Sequence, residues 1–116
     1  MQFTTLKKNS DFRRLYAKGR SAVLPTLVIY LRRSRSGESR VGFTVTVRLG
    51  NAVTRNRVRR RLREIYRLHM GELRPGVDMV LVARSRSVEA PYSTLERDFL
   101  TGCRKLSALR EETKEA

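Results

Sequence analysis

Residues 50–68, GNAVTRNRVRRRLREIYRL, constrain this chain more than any other stretch. Apolar side chains recur at Val58, Leu62, Ile65 and Tyr66, and His69 and Met70 continue the row. Spacings of three and four residues put that row on one side of a helix that must be buried. At roughly 100° per residue, Asn56, Arg60, Arg63 and Arg67 fall on the opposite side, with Arg57, Arg59 and Arg61 on the flanks. Asn51, after Gly50, is placed to cap the first turn. Glu64 is the only acid of the stretch, at helical spacing to Arg60 and Arg67. A solvated helix normally mixes signs for such pairing. Here one sign dominates, and the base is arginine, whose planar fork suits phosphate oxygens and base edges.

The whole chain agrees with that helix. Its 116 residues suit one domain, and 26 Lys and Arg against 11 Asp and Glu give a net charge of +15. Such a field attracts polyanions, nucleic acid before an anionic membrane. The single cysteine, Cys103, excludes a disulfide framework and falls in a helical apolar pattern, as a small buried hydrophobe does. The N-terminal MQFTTLKK has no apolar run of a secretory signal, and no segment is apolar for the length of a membrane span. The expectation is a soluble, cytoplasmic protein.

Residues 1–8 read as an extended basic arm. Asn9 or Ser10 is set to cap a helix to Lys18, with Gly19 at its C-terminal stop. Phe12, Leu15 and Tyr16 share a stripe on it, framed by Arg13, Arg14, Lys18 and Arg20. Such a stripe packs a core, or offers rings and cations to single-stranded RNA. Residues 21–23 and, after Pro25, residues 26–32 read as strands. Leu27, Ile29 and Leu31 point one way, Val28 and Tyr30 the other. Residues 40–48 (RVGFTVTVR) predict a strand burying Val41, Phe43, Val45 and Val47, with Gly42, Thr44, Thr46 and Arg48 on an open face. After the arginine helix, residues 77–83 (VDMVLVA) predict a central strand. A last helix follows Pro91, with a capping box at Ser93 to Glu96 and an apolar stripe at Tyr92, Leu95, Phe99, Cys103 and Leu106. Residues 110–116 predict a frayed tail. The sum is a single-domain α+β sandwich: a four-stranded sheet and three helices packed on its buried face. The strands at 40–48 and 77–83 pair in parallel across the helical crossover.

Gly50-Asn51-Ala52-Val53, Thr54, Arg55-Asn56-Arg57-Val58-Arg59-Arg60 and Arg63-Glu64 resemble the signature of the bacterial ribonuclease P protein subunit. Asp11-Phe12 with Tyr16, residues 40–45 and residues 78–84 resemble further parts of that family, so the likeness spans roughly residues 6–106. The resemblance implies a left-handed crossover, against the usual right-handed preference, in a fold also seen in a ribosomal-protein domain. It implies one copy of the chain per catalytic RNA, which holds the Mg²⁺ ions and cuts precursor tRNA to leave its mature 5′ end. It implies that Arg55, Asn56, Arg57, Arg59, Arg60 and Arg63 face the catalytic RNA, with Asn51 of the same signature beside them; Arg61 and Arg67 are extra basic residues, assigned to general RNA affinity only. It implies a cleft between the first helix and the open sheet face for the 5′ leader, at Phe12, Tyr16, Val28, Tyr30, Thr44, Thr46 and Arg48, with Leu15 kept in the core. The family often carries two lysines where this chain has Val47-Arg48.

The residues offer no machinery of their own for phosphodiester cleavage. His69 sits where helix-end histidines sit, and the acids show no metal-ligand spacing. A structural RNA-binding protein accounts for the charge but not for the aromatic cleft. A groove-reading DNA protein needs a helix before residue 52, where a strand is expected, so neither DNA nor a membrane is an expected partner.

Overall fold

The computed structural model describes residues 3–110. The strands are β1 (Thr4–Thr5), β2 (Arg20–Val23), β3 (Leu27–Arg33), β4 (Arg40–Thr44) and β5 (Val77–Ala83). The helices are α1 (Asn9–Lys18), α2 (Ala52–His69) and α3 (Tyr92–Lys105). The strands form one sheet in the order β1-β4-β5-β3-β2. β5 pairs in parallel with β4 and antiparallel with β3, and β2 and β3 form an antiparallel hairpin. The β4–α2–β5 unit thus has the predicted parallel crossover.

The alternation of β3 is realised. Leu27, Ile29 and Leu31 are buried, and Val28 and Tyr30 are half-buried on the other face. On the first face, Leu27, Ile29, Val41, Met79 and Leu81 meet Val58, Leu62, Ile65 and Tyr66 of α2 and Leu95, Phe99 and Cys103 of α3. Gly102 lets α3 approach closely, since a Cβ there would meet Ile29 and Leu24 carbons at 2.6 and 2.7 Å. Burial pushes the Cys103 thiol up to about 12, so it stays a neutral hydrophobe.

Five expectations are corrected. The sheet has five strands, because Thr4–Thr5 inside the basic arm pairs in parallel with Arg40–Val41; two residues carry no readable periodicity. The helices do not share one face: α1 lies on the other, where Leu15 joins Leu6 and Val80 in a second small core flanked by Phe12, Tyr30 and Val82. β4 stops at Thr44 rather than residue 48. Val45 stays buried, but a 3-10 turn over Val47–Leu49 leaves Val47 73 % exposed as the chain turns toward α2 through Gly50 at φ 141°. Neither Asn9, Ser10 nor the Ser93–Glu96 box caps a helix; Lys8 and Pro91 hold the cap positions without side-chain bonds. Gly19 ends α1 at an ordinary φ of −78°, and its glycine is needed because a Cβ would meet the Leu15 and Leu31 carbonyl oxygens at 2.6 and 3.0 Å. Of the tail, Arg110 is held by Glu72 and Leu73 carbonyls, and residues 111–116 lie outside the described part.

Polar side chains tie the layers together. Arg40 grips Asp78 of β5 with two bonds of 2.9 and 2.7 Å and reaches Asp11 of α1 at 3.5 Å. Buried Asp98 of α3 accepts from the Thr26 backbone and hydroxyl at 3.1 and 2.7 Å, fixing α3 to the start of β3. His69 ends α2 between two carboxylates, Glu72 at 2.9 Å and Glu96 of α3 at 2.6 Å. Burial disfavours the charged ring, but both carboxylate bonds favour it, and the net shift of its pKa is upward.

A group with a raised folded pKa stabilises most below its unfolded value and loses that contribution as pH rises through the folded one. His69→Gln is therefore expected to cost on the order of 1 kcal/mol near pH 5.5, and less near pH 8.5, by urea unfolding. An equal loss at both pH values would assign the ring to packing alone.

Candidate nucleic-acid interface

α2 is capped as its sequence suggests: the Asn51 side-chain oxygen accepts the Thr54 amide at 2.9 Å. Burial of Val58, Leu62, Ile65 and Tyr66 fixes the helix's rotation and turns its arginines outward. Those arginines then divide by partner. Arg55 Nε donates to the Gly50 carbonyl at 3.1 Å, back across the helix entrance. Arg57 and Arg61 donate to the Val88 and Ala90 carbonyls, both at 3.1 Å, so they are braced against the loop before α3. Arg59 donates to Asn56 at 2.9 Å. Arg63 lies over the Phe3 and Phe43 rings at 5.1 and 5.7 Å, a cation–π arrangement that orders the guanidinium without neutralising it. Arg60 is exposed. Arg67 differs, because Glu64 pairs with it at 2.7 Å, raising the arginine pKa and lowering the carboxylate. Its charge is half answered within the chain.

The second surface lies on the sheet face that carries α1. That helix crosses from β4, where Asp11 meets Arg40, to β3, where Gly19 abuts Leu31. Phe12 lies directly on Gly42, where any Cβ would meet its ring at 2.5 Å. Tyr16 is 41 % exposed, its hydroxyl shares a 2.8 Å hydrogen bond with Thr44, and its ring meets Tyr30 edge-on at 5.0 Å. Between α1 and the end of β4 runs a groove of about 440 Å³, lined by Asn9, Phe12, Arg13, Tyr16, Phe43, Thr44, Val45 and Arg59. β1 pairs with Arg40 and Val41, so among the described residues no strand covers the β4 edge at Phe43 and Thr44. Past that edge Arg59 of α2 enters the groove. The arginine helix and the aromatic groove therefore adjoin.

The seven cleft residues expected from sequence separate into groups. Phe12, Tyr16 and Thr44 meet in the groove, and Tyr30 buttresses Tyr16. Val28 lies on the same face opposite Val82, which is also paired with Thr44, so it continues the floor. Thr46 is exposed beyond the end of β4. Arg48 is not in the groove: it lines a separate depression with Leu49, Arg86 and Arg97, because the 3-10 turn carries it away from the strand's alternation. Three groove residues were missed: Asn9, Phe43 and Val45. Asn9 shares the i, i+3, i+4, i+7 row with Phe12, Arg13 and Tyr16, but its polar side chain lies outside the apolar stripe. Phe43 was assigned wholly to the core, yet it is half-buried and shows one edge to the groove.

The ribonuclease P family model matches residues 1–107. The ribonuclease P protein component of Natranaerobius thermophilus is 40% identical over 110 residues, covering 95% of this chain and 96% of that protein. That of Clostridioides difficile is 45% identical over 95 residues, covering 81% and 83%. The solved RNase P protein of Staphylococcus aureus superposes with a TM-score of 0.84 at 26% identity, covering 94% of this chain and 100% of that one. The chain belongs to the ribonuclease P protein family, as its protein component.

Proposed function

We propose that this subunit of ribonuclease P serves tRNA 5′ maturation by positioning two RNAs with two adjoining surfaces. Arg55, Arg57, Arg59, Arg60 and Arg63, with Asn51 and Asn56 at the start of the same helix, hold the catalytic RNA, and Arg67 adds general attraction. The groove walled by Phe12, Tyr16 and Thr44, with Tyr30 and Val28 continuing it, takes the single-stranded 5′ leader of precursor tRNA. Thr46 and Arg48 stand beyond the groove and act on phosphates further along. The observation that carries the reading is the entry of Arg59 into the groove beside exposed Tyr16. A strand stacked on the rings then has its backbone beside the helix that grips the other RNA.

Bond cleavage is assigned to the catalytic RNA and to Mg²⁺ ions that this RNA holds, with one protein per RNA in the cytoplasm. What supports this is the engagement of six acids among the described residues in structural contacts. Asp11 and Asp78 serve Arg40, Asp98 holds Thr26, Glu64 pairs with Arg67, and Glu72 and Glu96 flank His69. Among the described residues no three His, Cys, Asp or Glu side chains are grouped to hold a metal ion. The protein's part is to bring phosphates together and offset their repulsion.

Arg57→Ala with Arg60→Ala is expected to weaken catalytic-RNA binding and to flatten its salt dependence by up to about one logarithmic unit per lost phosphate contact. An unchanged slope would remove these side chains from the interface.

Tyr16→Ala is expected to weaken holoenzyme binding of precursor tRNA by roughly 1–3 kcal/mol, the value of one base stack. Tyr16→Phe keeps the ring and should lose much less. Neither change should matter on tRNA without a leader. Equal losses on both substrates would make the ring a structural residue and end the leader assignment.

A further inference from the structure

A second arginine cluster lies away from both surfaces. A depression of about 590 Å³ is walled by Arg20 of β2, Arg32 and Arg33 of β3, and Arg74 and Gly76 of the loop before β5. The sheet register fixes its place. Arg33 pairs with Val77 at one end of the β3–β5 ladder, whereas groove residue Thr44 pairs with Val82 near the other end. The two sites are thus on the order of 20 Å apart along the strands, at about 3.3 Å per residue. α1 stands between them, its C-terminal Gly19 pressed against Leu31.

Among the described residues no acidic side chain lines this depression. Asp78, one residue from its wall, is held by Arg40. Two of the arginines are braced from behind: Arg20 donates to the Leu106 carbonyl, and Arg74 Nε to the Ser107 carbonyl at 2.7 Å. The loop is braced as well, the Gly76 amide donating to Ser39 Oγ at 2.8 Å and its carbonyl accepting from Ser34 at 2.8 Å. The other two arginines have no such answer. Arg32 and Arg33 form no ion pair among the described residues, and the Arg32 Nη1 nitrogen is buried without a hydrogen-bond partner.

Gathering four like charges costs Coulomb energy, and a buried unpaired donor adds to it. A dense anion with several acceptor oxygens relieves both at once. Guanidinium forks match phosphate oxygens in pairs, which a carboxylate or chloride satisfies less fully.

We propose that this depression is a phosphate-binding site, and that its occupant is a backbone phosphate of the catalytic RNA. The phosphate chemistry stands on the site alone; the choice of RNA rests on the function proposed above. The depression lies outside the groove assigned to the leader, at the opposite end of the β3–β5 ladder. A large RNA that already grips α2 can reach it, and it then holds the protein at two ends.

The test has one arm for each half. First, ¹⁵N-labelled protein is titrated with inorganic phosphate, and with sodium chloride at equal ionic strength. The Arg32, Arg33 and Gly76 amides are expected to shift saturably with phosphate and far less with chloride, and R32Q/R33Q should abolish the difference. Should that pair perturb folding, exposed Arg33→Gln alone is expected to weaken phosphate binding several-fold. An equal response to both salts would overturn the site and leave the proposed function untouched. Second, R32Q/R33Q should lower the salt slope of catalytic-RNA binding by about one unit per lost phosphate contact. It should leave the reconstituted holoenzyme's preference for precursor over leaderless tRNA unchanged. An unchanged slope, or a lost preference, would contradict the catalytic RNA as occupant.

Discussion

One guanidinium group holds the architecture that makes the groove. Arg40 opens β4, binds Asp78 of β5 through two bonds, and reaches Asp11 of α1. It thereby joins a parallel strand pair to the helix laid over it. Bonding to Asp78 drives the Arg40 pKa up further, so the charge persists at any working pH. A partly buried network of this kind contributes through geometry, because removing one member strands the others. Gly42, two residues on, admits the Phe12 ring to the sheet. Charge at one point and missing bulk at the next seat α1 across one end of the face, which leaves the rest open. Without α1 in that position the second face would be a plain half-polar sheet.

The arginine helix shows how a one-signed charge run avoids being only a solvated side. Its residues are ordered by different neighbours: carbonyls for Arg57 and Arg61, aromatic rings for Arg63, Asn56 for Arg59. None of these partners cancels charge. Each restrains a flexible side chain before RNA arrives, which lowers the ordering cost of binding. Arg67, the exception, is the one with a carboxylate partner, and it lies nearest the end of the helix closed by His69. Asp11, Asp78, Asp98 and Glu96 are engaged in joining elements, and most arginines of α2 are left to face outward.

Much of this was legible in the sequence, because the strongest patterns are those that burial enforces. The four-residue rhythm of α2, the alternation of β3 and the apolar run of β5 each survive unchanged, since shifting any of them would expose a row of large side chains. What failed was local and weakly determined. A two-residue strand has no period to read. The alternation of residues 40–48 runs past the end of β4, and Val47 follows the pattern while the backbone has already turned. Arg48 leaves the groove for the same reason. Cap preferences failed at α1 and α3, where tertiary contacts set the ends and Glu96 is drawn to His69. Periodicity alone does not give the face taken by α1, because Leu15 can bury against either side of the sheet; the family resemblance, which implies a cleft between the first helix and the open sheet face, does. Asn9, Phe43 and Val45 entered the groove unforeseen, since such positions acquire meaning only once α1 and α2 are set against the same strand.

The central claim is that the aromatic groove beside the arginine helix reads nucleotides present only in the precursor. The most direct measurement is the affinity of the reconstituted holoenzyme for precursor tRNA against the same tRNA with its leader removed, at one fixed salt and Mg²⁺ concentration. The account predicts tighter binding of the precursor, by roughly tenfold or more if at least one base stacks on the groove. Equal affinity for the two RNAs would contradict it.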